Sequence, residues 1–195
     1  MTTIPGAVVL CGGQSRRMGR PKAWLPFGPE VMLKRVVRLL GEVAGPIVVV
    51  AAPGQDVPGL PAHVQIARDP VSDRGPLQGL AAGLAAMPEG FDLVYATATD
   101  VPFLRSAWVT RLVELIGDRD LAIPEIGGYL HPLAALYRRR TVLPAVEKLL
   151  AEETRIDAAA RQKIASQRKI IVEGSQEWDI LYRKYYNDEV KKLGL

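Results

Sequence analysis

Two short runs of uninterrupted apolar side chains, residues 7–10 and 47–51, separated by a helically spaced stretch, restrict this chain more than any other feature. A strand that is apolar at every position, rather than at every second one, has both faces covered, which is the condition inside a parallel sheet. Between the two runs, Val31, Leu33, Val36, Val37, Leu39 and Leu40 recur at helical spacing with Arg and Lys interleaved, so strand, helix and strand form a βαβ unit with a right-handed crossover. The alternation continues. A shorter strand over 64–67 precedes a Leu-, Ala- and Gly-rich helix over 76–87; a strand over 93–96 precedes a helix marked by Val109, Leu112, Val113 and Ile116; strands over 121–123 and 134–137 precede a helix over 142–150. This pattern predicts an open α/β fold, a Rossmann-like three-layer α/β/α sandwich with a mostly parallel sheet.

At 195 residues, 48% hydrophobic and 24% charged, the chain has the size and balance of one domain, 1–195, able to bury a sizeable core. Its last part differs in composition: five lysines fall in 151–195 against three in all the preceding residues, so this segment is read separately. There, Trp178, Leu181, Tyr182, Tyr185, Tyr186, Val190 and Leu193 share one helical stripe, with Glu177 and Asp179 near its start and Lys191 and Lys192 near its end, which predicts a docked amphipathic helix. The lone cysteine, Cys11, permits no intrachain disulfide and suits a reducing compartment, so a cytoplasmic protein is expected. There is no charged leader before the first apolar run, and no apolar stretch approaches the roughly 20 residues that span a bilayer, so no membrane or export role is expected.

The net charge of +4 is scattered except for Arg16, Arg17, Arg20 and Lys22 and the run Arg138, Arg139 and Arg140. The first cluster lies in the segment Leu10-Cys11-Gly12-Gly13-Gln14-Ser15-Arg16-Arg17-Met18-Gly19-Arg20-Pro21-Lys22, directly after a strand. Glycines there let backbone N–H groups close on phosphate oxygens, Arg offers a planar fork and Lys a mobile point charge, so the segment has the composition of a triphosphate site. No Gly-Lys-Ser or Gly-Lys-Thr closes it, and its glycine spacing is not that of the dinucleotide fingerprint, which weakens kinase and dehydrogenase readings.

The same segment resembles the signature of the molybdenum cofactor nucleotidyltransferases, Leu-Ala-Gly-Gly-x-Ser-x-Arg-Met-Gly-x-(x)-Lys, and most closely that of the molybdopterin guanylyltransferase (MobA) family. The resemblance continues in order through Arg68-Asp69-Pro70, Gly75-Pro76-Leu77-Gln78-Gly79-Leu80, Thr99-Asp100-Val101-Pro102-Phe103 and His131-Pro132-Leu133-Ala134-Ala135-Leu136, covering about residues 7–150. It implies a nucleotidyltransferase fold and transfer of GMP from GTP to molybdopterin or the molybdenum cofactor, with release of pyrophosphate and with Mg²⁺ as cofactor. It also implies transient contacts with other cofactor-biosynthesis proteins or molybdoenzyme chaperones, and no nucleic acid partner.

Asp100 ends a strand at the carboxyl edge of the sheet, where a carboxylate can hold Mg²⁺ against a triphosphate; the family assigns it the metal, and the competing role is a helix N-cap. Lys22 is the expected catalytic cation, assisted by Arg16, because charge builds on the α-phosphate and the leaving pyrophosphate. Arg17 and Arg20 suit either the ligand or a solvated face. By resemblance, Leu10, Cys11, Gly12, Gly13 and Ser15 line the nucleotide site with Lys22, Asp69, Gly75 and Asp100; Asp69 would accept from guanine N1–H and N2–H₂, or simply open an Asp-Pro turn. His131 is balanced between substrate contact and structure, His63 reads as loop surface, and Cys11 reads as a small apolar strand residue.

Two departures from the family stand out. Its Asn after the second strand is replaced by Ala51-Ala52-Pro53, and its Asn-x-Asn-Thr-Pro segment on the pterin side has no counterpart, since the only asparagine is Asn187. The segment 151–195 is divergent in that sense. The rival readings are a molybdopterin cytidylyltransferase, against which Gly13 and the Gly75 segment argue, another small-molecule-phosphate nucleotidyltransferase, and a non-catalytic GTP-binding domain.

Overall fold

The computed structural model describes residues 4–12, 20–70 and 75–192. In chain order it contains β1 (Gly6–Leu10), a 3-10 turn (Lys22–Trp24), β2 (Pro26–Phe27), β3 (Glu30–Val31), α1 (Met32–Leu40), β4 (Ile47–Ala51), β5 (Val64–Arg68) and α2 (Pro76–Ala86). There follow β6 (Leu93–Ala98), α3 (Ser106–Ile116), β7 (Leu121–Ala122), β8 (Glu125–Ile126), β9 (Tyr129–Leu130), β10 (Ala134–Arg138), α4 (Arg139–Ala165) and α5 (Gln176–Lys192). Six strands form one sheet in the order β5-β4-β1-β6-β10-β7. The first four are mutually parallel and β10 runs antiparallel to both its neighbours, so the mostly parallel sheet expected from the apolar runs is present.

Strand β1 explains why those runs carry no polar position. Ala7, Val9 and Cys11 join one core cluster with Leu33, Val36, Val37 and Leu40 of α1 and Val109, Leu112 and Ile116 of α3. The alternate residues face α2: a Cβ placed on Gly83 would collide with Val8 and Val50, one on Gly79 would lie 3.2 Å from Leu10 Cδ2, and one on Gly6 would meet Met87 Sδ at 2.6 Å. Helices therefore cover both faces, and a strand with period-two geometry needs apolar side chains at every position. The small residues of α2 are what let it lie so close.

The chain divides into two compact units, Met1–Val146 and Glu147–Leu195. The helix expected over 142–150 runs from Arg139 to Ala165. It continues because 151–165 is rich in Ala, Glu, Arg and Lys, is stitched by Glu152–Arg155 (2.7 Å) and Asp157–Arg161 (3.0 Å) pairs, and has Ile156, Ala160 and Ile164 buried at four-residue intervals. Within the second unit the expected stripe on α5 is the half-buried face, Trp178, Leu181, Tyr182, Tyr185, Tyr186 and Val190, while Leu193 lies outside the described residues. None of its residues is fully buried, and polar and aromatic contacts do much of the docking. Tyr182 Oη donates to Asp157 at 2.6 Å, Lys163 meets Glu189 at 2.6 Å, and Arg161 lies over the stacked Trp178 and Tyr182 rings.

The basic run Arg138, Arg139 and Arg140 has partners within the protein. Arg138 donates to Gly117 O at 2.8 Å, Arg139 to Ala85 O and Pro88 O at 3.4 Å, and Arg140 pairs with Asp92 at 3.4 Å. Guanidinium groups at the carboxyl ends of α2 and α3 satisfy carbonyls that the helices leave without partners.

Gly83→Ala is expected to destabilise the protein by about 1–2 kcal/mol net, because overpacking against fully buried Val8 outweighs the gain of about 1 kcal/mol in helix propensity. Gly79→Ala, which meets the mobile end of Leu10, should change the urea midpoint much less. In the second unit, Lys163 and Lys192 hold the Glu189 carboxyl down at about 2. A depressed carboxyl contributes stability above its unfolded value, and that contribution is lost as pH falls toward 2. Far-ultraviolet circular dichroism should show the Glu189→Gln variant less helical than wild type at pH 7, with the difference vanishing near pH 2.

Candidate active site

Chain order runs outward from β1 through β4 to β5 on one side and then crosses to β6 on the other, so β1 and β6 flank the topological switch point of the sheet. Ligands of open α/β sheets bind beyond the carboxyl ends of strands at such a point. Here those ends are tied together: Thr99 donates to Leu10 O through both its N–H (3.1 Å) and its Oγ1 (3.0 Å), and Cys11 N–H donates to Val50 O at 2.7 Å. The residues that follow, Gly12 after β1 and Asp100 after β6, are exposed at the sheet edge.

Lys22 sits at the start of the 3-10 turn, and its Nζ donates to Asp100 Oδ2 at 2.6 Å. The sequence places these two residues far apart; the switch point brings them together. Asp100 does not act as the helix cap, since the N-cap position of α3 is Arg105. The segments that carry the pair are clasped again further out: Arg35 Nε of α1 donates to Pro102 O at 2.8 Å, its guanidinium lies 4.8 Å from the centre of the Phe27 ring, and Phe27 meets Phe103 edge to face at 5.4 Å. The segment from Lys22 to Phe27 and the segment from Asp100 to Phe103 are thus held at both ends.

On the other side of β1, Asp69 follows β5, and its N–H donates to Ala51 O at 2.9 Å, which carries the parallel ladder one residue past the strand. Two strand spacings, about 10 Å, separate the ends of β5 and β1. The Asp69 side chain leans across part of that gap: its Oδ2 lies 3.9 Å from the point a Gly79 Cβ would occupy, beside Leu10. Gly75 precedes α2 with φ +77, a left-handed value that favours glycine, and Pro76 opens the helix. The N–H groups of the first turn of α2 are donors of the kind that anions meet at helix N-termini.

Of the residues expected from sequence, the structure gathers Leu10, Cys11, Gly12 and Asp69 along one edge and Lys22 with Asp100 at the switch point. Gly13, Ser15, Arg16 and Arg17 lie outside the described residues. Arg20, His63 and His131 are exposed, and the His131 N–H donates to Pro124 O. Cys11 is buried, and burial pushes its thiol above the ordinary range despite hydrogen bonds with Thr99 and Gln55, which disfavours the thiolate. Sequence reasoning missed Gln55, Arg68, Thr99 and Arg35, whose side chains hold the backbone of the site. The only signal for Gln55 is its place just after a Pro-Gly turn.

A parallel sheet with a cation and a carboxylate at its switch point and a second carboxylate two strands away is an open α/β domain with the layout of a site for a phosphorylated ligand. A family model described as the MobA-like NTP transferase domain matches residues 7–169, and the chain belongs to that family. It is 41% identical over 142 residues to a Mycobacterium tuberculosis protein described as a probable molybdenum cofactor guanylyltransferase, spanning 70% of this chain and 69% of that one. A Mycobacterium avium protein of the same description is 38% identical over 167 residues, 80% and 83% of the two chains. Among solved structures, molybdopterin-guanine dinucleotide biosynthesis protein A from Archaeoglobus fulgidus shares the fold, with TM-score 0.56 at 20% identity over 73% and 71% of the two chains.

Both members of the Lys22–Asp100 pair are near half exposed, 43% and 46%, so the contact contributes little to folding. Lys22→Ala and Asp100→Ala should each change the unfolding free energy by less than about 1 kcal/mol, and a double-mutant cycle in urea should give a coupling of about the same small size.

Proposed function

We propose that this protein transfers GMP from GTP to molybdopterin or the molybdenum cofactor, releasing pyrophosphate. The observation that carries the reading is the Lys22–Asp100 contact at the switch point, with Asp69 displayed on the same sheet edge. The descriptions of the M. tuberculosis and M. avium relatives support the choice of nucleotide and acceptor.

The roles follow from charge and position. The terminal phosphate of the pterin attacks the α-phosphorus of GTP; a new O–P bond forms, the bond to the β-phosphate oxygen breaks, and pyrophosphate carries the electron pair away. A phosphate monoester is already largely anionic near neutral pH, so no general base is needed and catalysis rests on positioning and on charge stabilisation. Lys22 supplies an ammonium to the α-phosphate and leaving group, and Arg16, assigned by the motif alone, assists it. Asp69 accepts from guanine N1–H and N2–H₂, while the backbone of Leu10, Cys11 and Gly12 lines the base and sugar side with Gly75 nearby, and Gly13 and Ser15 are assigned to the nucleotide by the motif alone.

Mg²⁺ fits the donors present. Among the described residues no three His, Cys, Asp or Glu side chains gather into a dedicated cage. An exposed carboxylate beside a phosphate-binding cation is the donor set of Mg²⁺, which keeps water and substrate phosphates as its other ligands. Asp100 would hold it, and when bound it supplies neutralisation of the triphosphate charge. The compartment that goes with this reading is the cytoplasm: Cys11 is a free thiol, and no helix among the described residues is long and apolar enough to cross a membrane.

The test is pyrophosphate release from purified protein with Mg²⁺, GTP and molybdopterin or its molybdenum-loaded form, run beside CTP, ATP and sugar-phosphate acceptors. Release with GTP and the pterin alone is expected, and Lys22→Ala should lower kcat by about 10²–10³ with an unchanged urea midpoint. Release with CTP instead, or nucleotide binding without release with any acceptor, overturns the reading.

A further inference from the structure

The base-side wall of the site is held by side chains that no role above requires. The half-buried Gln55 carboxamide lies across the ends of β1 and β4: its Nε2 donates to Cys11 O at 3.0 Å and reaches Cys11 Sγ at 3.5 Å, while its Oε1 accepts from Ala52 N–H at 2.9 Å. Arg68, the last residue of β5, donates from Nη1 to Ala52 O at 3.1 Å and to Gln55 O at 2.7 Å. The next residue, Asp69, donates its N–H to Ala51 O. A chain of hydrogen bonds thus crosses three strand ends, from Cys11 through Gln55 and Ala52 to Arg68, whose covalent neighbour is Asp69.

From this geometry we infer that Gln55, secured by Arg68, is the positioning residue that sets the span between the Cys11–Gly12 backbone and the Asp69 carboxylate, and so determines which nucleobase the site accepts. The inference rests on the proposed function in taking those two walls as the base pocket. The backbone ladder ties each wall to β4, through Cys11 N–H to Val50 O at 2.7 Å and Asp69 N–H to Ala51 O at 2.9 Å, and the Gln55 carboxamide adds a side-chain clasp beyond the ends of the strands. The loop 52–55 carries no residue of the core cluster, so the amide bridge, and not apolar packing, fixes its distance from β1. The position calls for a neutral group with a donor and an acceptor on one planar head, which Gln supplies and Glu does not. A carboxylate reads a base edge through two hydrogen bonds with heavy-atom distances near 2.9 Å, and a displacement of about half an ångström to one ångström of either wall misaligns both. A nucleotide held by its phosphates alone is insensitive to that span, whereas the base that fits best has the most to lose.

The experiment uses the full chain, with Mg²⁺ present, and measures equilibrium binding of GTP, ATP and CTP by calorimetry, together with kcat and KM for the nucleotide that turns over. Gln55→Glu removes the donor and keeps the acceptor. It is expected to cut the ratio of affinity for the preferred nucleotide over the others about tenfold, as one lost hydrogen bond to a sequestered carbonyl implies, and to raise KM while kcat at saturation stays within about twofold. Arg68→Lys, which keeps the charge beside Asp69 but loses the fork, is read on the same ratio and serves if Gln55→Glu fails to fold. An unchanged ratio, or an equal loss for all three nucleotides, overturns the inference. Because the readout is a ratio, a wild type that prefers CTP refutes the guanine reading while still testing the bridge, and a wild type that binds no nucleotide refutes both.

Discussion

Strand β1 is a surface with no outside. It hydrogen-bonds to β4 and β6 along its edges, α1 and α3 cover one of its faces, and α2 covers the other. Every other feature of the first unit depends on that enclosure. A strand covered on both faces and both edges has only its ends left to offer solvent, and the end from which the chain emerges is where Gly12, and then Lys22, are delivered. The proposed binding groups lie there because the rest of the strand has no accessible backbone.

Most of the fold was legible because enclosure of this kind leaves a mark at every residue. The runs 7–10 and 47–51 lack polar positions, and the helices between strands show their buried stripes. Smaller elements left fainter marks. The β2–β3 and β8–β9 hairpins are two-residue strands around Gly28 and around Gly127 and Gly128, the first largely half-buried and the second exposed, and strands of two residues are too short to show an apolar period. The length of α4 was underestimated because its first part contains Pro144 and its second buries Ile156, Ala160 and Ile164, a sparse stripe in a charged stretch.

The candidate site divides in the same way. Residues that would touch a ligand announce themselves by type: Lys22 at the end of a glycine-rich run, Asp69 and Asp100 just past strands. Residues that hold those in place do not. Gln55 acts on a partner distant in sequence and Arg35 on a carbonyl, and a side chain that bonds to backbone has no partner residue type for a sequence reader to match. Arg138, Arg139 and Arg140 likewise bond to helix-end carbonyls and to Asp92, partners that no sequence pattern names.

The two glycines of α2 that face the sheet, Gly79 and Gly83, lie one turn apart on the same side of the helix. Together they cut a notch into its surface, and the methyl groups of Val8 and Val50 seat in that notch, with the Leu10 side chain beside it. A smooth helix could slide along a strand at little cost; a notched one engages like a detent and is stopped in both axial directions. The first turn of α2, opening at Gly75, is therefore registered to the end of β1 by methyl groups buried deep in the sheet, and the distance between those two backbones is gauged from the core outward rather than left to the loops that join them.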